Sequence, residues 1–163
     1  MVLNVRLVLT ATLTAALFAA LALTPALAQP CSQPEPPRLT GADGGLEGGV
    51  SISVGRIADL IWVPLLIDGQ PVPEDAGLSL SVTFDGKVSG TTGCNRFAGT
   101  AGMDAGELTF EPLAVTEMAC LDPERMAREA AYLKALSETR WFIASPDGLW
   151  LTREDGTVAM CLW

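Results

Sequence analysis

From Leu78 to Phe84 the chain alternates without a break, with Leu78, Leu80, Val82 and Phe84 set against Ser79, Ser81 and Thr83. A period of two puts the four apolar side chains on one face, which predicts a half-buried strand. Asp85-Gly86 follows and turns the chain back into a strand at Lys87–Thr91. An Asp-Gly pair between apolar runs is a hairpin signal because glycine accepts positive φ and Asp caps its own turn. The dipeptide recurs at Asp68-Gly69, Asp147-Gly148 and Asp155-Gly156, and further strands are predicted at Leu60–Ile67, Glu107–Leu113, Trp141–Ala144, Leu149–Thr152 and Val158–Leu162. Four such turns predict an antiparallel meander. One helix interrupts it: Asp122 is a suitable N-cap, Pro123 fits the first helical position, Glu124 suits the first turn, and Met126, Ala130, Leu133 and Leu136 or Ser137 recur on one face. The expected fold class is mainly β (α+β), a small antiparallel barrel-like sheet with one covering helix.

Ahead of this pattern the sequence changes character twice. Residues 1–28 read as a signal peptide, with Arg6 before an apolar run from Leu7 to Leu23 and small residues in Ala26-Leu27-Ala28. Cleavage is expected between Ala28 and Gln29. The apolar run is shorter than the roughly 20 residues of a spanning helix, so no stable membrane insertion is expected after cleavage. Gln29 and Pro30 separate the site from Cys31, which argues against lipid attachment. Residues 29–49, rich in Pro, Gly and acidic groups, read as a linker arm. The folded domain is expected over residues 50–163, in the periplasm or secreted.

Composition narrows the chemistry. Of 163 residues 49% are apolar, enough for a core. Acidic residues outnumber basic ones 19 to 10, a formal charge of −9, the wrong sign for nucleic acid or an anionic lipid surface. The histidine count is zero, which removes Ser-His-Asp and Cys-His nucleophile pairs and histidine metal sites. The four cysteines, Cys31, Cys94, Cys120 and Cys161, form no CxxC pair and read as two disulfides of an oxidising compartment.

Other candidates are weaker. Glu107 and Glu111 have the look of a carboxylate pair, yet nothing near them marks a sugar cleft, and a solvated face is expected. The acidic turns lack the spaced oxygen ligands of a calcium loop. Lys87 and Lys134, the only lysines, have no neighbour that would obviously lower their pKa. Trp62, Trp141, Trp150 and Trp163 are expected as core filler and girdle. No catalytic group, metal or cofactor is therefore expected, and the protein is expected to be a monomer and not an enzyme.

Two clusters remain, Gly90-Thr91-Thr92-Gly93-Cys94-Asn95-Arg96-Phe97-Ala98-Gly99 and Leu113-Ala114-Val115-Thr116-Glu117-Met118-Ala119-Cys120. Together with the Trp62 strand, a helix carrying Glu129 at the family's acidic position and the C-terminal hairpin with Gly148–Thr152, they resemble the META domain family, the HslJ-like exported heat-shock proteins. The resemblance spans roughly Leu60 to Trp163. It implies a small β-rich domain with one helix, exported to the envelope, without established enzymatic activity and associated with envelope stress. Each motif block brings one cysteine beside a shaped loop, so Cys94–Cys120 is the expected bridge and Cys31–Cys161 follows by elimination; Cys31 and Cys161 lie outside the motif.

Physically the motif reads first as a shaped, stapled loop and second as a binding loop, with Gly93, Asn95, Arg96, Phe97, Gly99, Thr116 and Met118 as its candidate residues. Arg96 is expected to form an internal ion pair with Glu117 or Glu129. The function expected first is envelope stress response through contact with an unidentified envelope protein or surface. The alternatives are an inhibitor of a secreted hydrolase, favoured by an exposed acidic or apolar loop near Asn95–Gly99, and a carrier, favoured by a tryptophan-lined cavity.

Overall fold

The structure is a computed structural model that describes Cys31 and residues 54–163 apart from Ala105. The predicted signal peptide, the arm except Cys31, and residues 50–53 lie outside the described residues.

The fold is mainly β, as the alternation predicts: among the described residues eleven strands form one curled antiparallel sheet with a single α-helix. They are β1 (Leu60–Trp62), β2 (Pro64–Ile67), β3 (Gln70–Pro71), β4 (Leu78–Val82), β5 (Lys87–Thr92), β6 (Arg96–Asp104), β7 (Glu107–Phe110), β8 (Ala114–Val115), β9 (Trp141–Ser145), β10 (Gly148–Thr152) and β11 (Val158–Leu162), with α1 (Pro123–Ser137) between β8 and β9. The spatial order is β1-β4-β5-β6-β7-β9-β10-β11-β2-β3, and β8 adds to β6. The predicted meander holds for β4 to β7 and for β9 to β11.

Two bent segments curl the sheet. The predicted strand Leu60–Ile67 breaks at Val63: its first half pairs β4 (Trp62 with Leu80) and its second half pairs β11 (Leu66 with Cys161), while Val63 and Trp163 exchange main-chain bonds of 2.7 and 2.9 Å. β6 does the same, pairing β5 and β8 through Arg96–Thr100 and β7 through Ala101–Asp104. This longest strand is not among the predicted ones, because Gly99, Gly102 and the alanines give little hydrophobic contrast. Its inward positions are nonetheless Phe97, Gly99, Ala101 and Met103. The Asp147-Gly148 reversal is centred one residue early, on Pro146 and Asp147, and Gly148 enters β10 at φ +144°, where a Cβ would meet the Leu162 carbonyl oxygen at 2.7 Å.

Helix α1 begins as predicted, with the Asp122 side chain accepting from Glu124 N–H at 2.9 Å. Its buried face matches the expected one only in its C-terminal half. Met126 and Ala130 are exposed, and Glu129, Tyr132, Ala135 and Leu136 turn inward. Of the expected stripe Leu136 is buried and Leu133 packs against the core, whereas Met126 and Ala130 give way to Glu129, whose carboxylate finds its partners in the sheet. Tyr132 packs edge-on against Phe97, centroids 5.8 Å apart, and donates its hydroxyl to the Ser79 carbonyl at 3.0 Å; burial pushes its phenol pKa up. The helix touches β5 on one half of the sheet and β7, β11 and β2 on the other.

The main core is formed by inward residues such as Leu78, Leu80, Val82, Phe142, Leu151, Met160 and Leu162. A second cluster lies on the opposite side of β10 and β11, where Trp150 packs with Cys31 and Cys161, backed by Leu66 and Ile143. The four tryptophans line no common cavity, although Trp62 and Trp163 share a crevice of about 280 Å³ with Leu60 and Ile61. Trp62 donates to the Ile57 carbonyl at 3.0 Å, Trp150 sits in the second cluster, and Trp141 and Trp163 are exposed.

Candidate functional site

The two motif blocks meet around one side chain. Asn95 follows a turn in which Gly93 holds φ +84°, a left-handed conformation where a Cβ would also meet the Ala76 carbonyl oxygen at 2.2 Å. Asn95 is 5% exposed and uses both ends of its amide. Its Oδ1 accepts from Met118 N–H at 2.7 Å and from the Thr116 hydroxyl at 2.8 Å. Its Nδ2 donates to both Glu129 carboxylate oxygens at 3.0 Å and to the Met118 carbonyl at 3.4 Å. The Thr92 hydroxyl also donates to Glu129 Oε2, and it accepts from Asn95 N–H at 2.9 Å. A single amide thus ties the β5–β6 loop, the strap after β8 and the helix together.

Glu129 is therefore bound to Asn95 and Thr92, and the expected pairing of Arg96 with Glu117 or Glu129 does not occur. Arg96 makes no ion pair among the described residues, and its side chain is exposed. Parity decides this: Asn95 and Phe97 face inward, so Arg96 between them faces outward. Its main chain is fixed, with Arg96 N–H donating to the Thr116 hydroxyl at 3.1 Å and Thr116 N–H donating to the Arg96 carbonyl at 3.0 Å.

The remaining motif residues have packing roles. Phe97 is core, Gly99 leaves room for Leu113, whose Cδ2 would lie 2.8 Å from a Cβ there, and Met118 engages only its main chain while its side chain is exposed. Cys94–Cys120 closes the strap against the loop, Cα atoms 6.1 Å apart, and Cys31–Cys161 joins the start of the arm to β11 at 5.8 Å. Thr92 was missed by the sequence reading, although a polar residue in the inward register of Val88 and Gly90 was its signal.

On the outward side, β5, β6 and β8 form a groove of about 610 Å³, lined by Ser89, Thr91, Arg96, Ala98, Ala114 and Thr116 among others. Small side chains shape its floor, and Arg96 is its only charged residue among the described residues. A smaller crevice of about 450 Å³ lies between α1 and the β7–β8 connection, lined by Phe110, Glu111, Leu113, Val115 and Leu133. Glu107 and Glu111 converge on no common site: Glu107 pairs with Asp104 and Trp141 along the sheet, and Glu111 is exposed at that crevice.

The META domain family model matches residues 56–162, which takes in both motif blocks, the helix and the last strand. The chain belongs to the META domain family. Its solved neighbours have the same fold. One, an NMR structure of a protein from Burkholderia xenovorans, is 26% identical, covers 77% of this chain and 96% of its own, and superposes with a TM-score of 0.57. Another NMR structure is 26% identical over 63% of this chain and 86% of its own, with a TM-score of 0.50. No curated protein sequence matches the chain. Within this META domain the two sequence blocks are thus one hydrogen-bonded unit with a groove on its outer side.

Proposed function

We propose that this META domain protein is an exported, non-enzymatic binding module that works in the bacterial envelope stress response through contact with a protein or an envelope surface. The observation that supports this is the division of labour inside the motif. Asn95, Thr92, Thr116 and Glu129 direct their polar groups at one another, an arrangement that rigidifies a scaffold. What the scaffold presents to solvent is a shallow groove with small side chains and a cation, Arg96, that makes no ion pair among the described residues. Shape and charge of that kind suit recognition. Two disulfides suit an oxidising compartment outside the cytoplasm.

The test is capture from envelope extract by the purified protein and by an Ala98→Tyr variant, in which an outward residue fills the groove. The expected result is a specific partner retained by the wild type and lost by Ala98→Tyr at unchanged melting temperature. Equal capture by both proteins would refute the groove as the working surface. Reproducible turnover in a hydrolase panel that disappears in Arg96→Ala would refute the non-enzymatic reading.

A further inference from the structure

Resting on that reading, we infer that the β5–β6–β8 groove binds an extended peptide segment through a carboxylate, with Arg96 as its counter-ion and small apolar residues beside the acid. The charge argument starts from the acidic chain, in which 10 basic residues face 19 acidic ones. Other described cations that line a surface depression are matched by an ion pair or share their depression with carboxylates; Arg140 makes no ion pair among the described residues, yet three acids line its groove. In the groove that contains Arg140 and Arg153, the lining also holds Glu138, Glu154 and Asp155, and Arg153 bonds Glu138 at 2.8 Å. Lys87 pairs with Asp85 at 2.6 Å, and Lys134 with Glu138 at 3.7 Å. Arg96 differs: its groove contains no carboxylate, and it makes no ion pair among the described residues.

Position matters as much as charge. The Arg96 main chain is held at both its N–H and its carbonyl by Thr116, whose hydroxyl is in turn fixed by Asn95 Oδ1. The guanidinium stem therefore leaves from a rigid point, which lowers the entropy lost when its donors engage an acid. The planar fork of an arginine matches a carboxylate in two parallel hydrogen bonds.

The rest of the lining selects the body that carries the acid. Ala98 and Ala114 are methyl-sized, Ser89 and Thr91 add hydroxyls, and Phe97 in the floor is 3% exposed, so no aromatic face is available for a sugar ring to stack on. Thr91 donates its hydroxyl to the Gly77 carbonyl, and Thr116 is committed to Asn95. A sugar would bring many hydroxyls to a surface with few free partners, each unmatched one unfavourable. A peptide with small apolar side chains next to one Asp, Glu or terminal carboxylate brings only the polar group that Arg96 can satisfy.

The experiment is selection of a displayed random heptapeptide library on the purified protein, in parallel with Arg96→Gln. Enriched peptides are expected to carry an acidic residue and to be lost on Arg96→Gln. The best synthetic peptide is expected to weaken by about tenfold or more when its acid is changed to the amide, the scale of a charge-assisted hydrogen bond, and to weaken further as salt is raised. Enrichment without acids, equal enrichment on Arg96→Gln, or no enrichment overturns the inference. Ala98→Tyr separates it from the reading beneath: envelope capture lost in Ala98→Tyr but kept in Arg96→Gln overturns the carboxylate assignment alone, whereas capture kept in both overturns the groove itself.

Discussion

Replacing Asn95 with Ala removes the group on which the loop, the strap and the helix converge. The side chain makes two contacts through Oδ1, to Met118 N–H and the Thr116 hydroxyl, and its Nδ2 serves the Glu129 carboxylate. A neutral hydrogen bond contributes about 1 kcal/mol net and one to a charged group about 1.5–3 kcal/mol, so the three together come to roughly 4 kcal/mol. Water reaches the Met118 side of the cluster, where the side chain is 63% exposed, and re-satisfies part of what is lost. The expected net destabilisation is therefore about 3 kcal/mol, a large share of the roughly 5–15 kcal/mol stability of a small domain. Urea unfolding at pH 7, followed by tryptophan fluorescence, measures it. A double-mutant cycle with Glu129→Gln is expected to show a coupling on the order of 1 kcal/mol. A loss below about 1 kcal/mol for Asn95→Ala, or strict additivity with Glu129→Gln, would refute the view that this amide organises the motif.

Three further outcomes are expected. Gly90→Ala puts a Cβ 2.0 Å from the Ser79 carbonyl oxygen and 2.4 Å from the Phe97 ring, and should cost more than about 3 kcal/mol by overpacking. Gly156→Ala, at φ +81° with nothing within 4 Å, should cost only about 1 kcal/mol; equal losses in urea unfolding would contradict this. Removing the Cys31–Cys161 pair (separation 130) as a double alanine variant should destabilise more than removing Cys94–Cys120 (separation 26), by about 5 against about 3.5 kcal/mol in the chain-entropy model, and the reverse order would overturn that model here. Asp85 is held at a pKa of about 2 by hydrogen bonds from Lys87 and Thr83. A depressed carboxylate stabilises the fold above its unfolded value and loses that effect as pH falls through the folded one. The melting-temperature gap between wild type and Asp85→Asn should therefore close between about pH 4 and pH 2, and a gap independent of pH would be inconsistent with it.

How much of this was legible depended on side-chain contrast. The β4–β5 hairpin was plain because Leu78, Leu80 and Val82 alternate with serines across an Asp-Gly turn. β6 was nearly invisible: its inward positions after Phe97 are Gly99, Ala101 and Met103, against outward Ala98, Thr100 and Gly102. The helix was placed correctly from Asp122 and Pro123, and Leu133 and Leu136 were rightly turned to the core, yet the first half of its face was misjudged, since spacing rules count Met126 as a core residue and Glu129 as a surface one. Only the partners supplied by Thr92 and Asn95, more than thirty residues away in sequence, reverse that order. That capture of Glu129, together with the outward parity of Arg96, leaves Arg96 without an ion pair among the described residues. The groove was illegible because it is a shape made by three small-residue strand faces, and no single residue announces it.

The pairing of β11 with β2 joins residues near opposite ends of the domain, and Cys31–Cys161 encloses Cys94–Cys120. A chain that emerges N-terminus first, whether from a ribosome or through a translocation channel, exposes Cys31 and Cys94 well before Cys161. Oxidation in order of emergence would join those two and leave Cys120 with Cys161, a combination in which neither bridge is native. Reaching the native arrangement then calls for thiol exchange after β11 has docked, because only the completed sheet holds Cys161 beside Cys31. Yield of the correctly bonded protein is accordingly expected to depend on a disulfide-isomerising activity, and not on oxidising power alone.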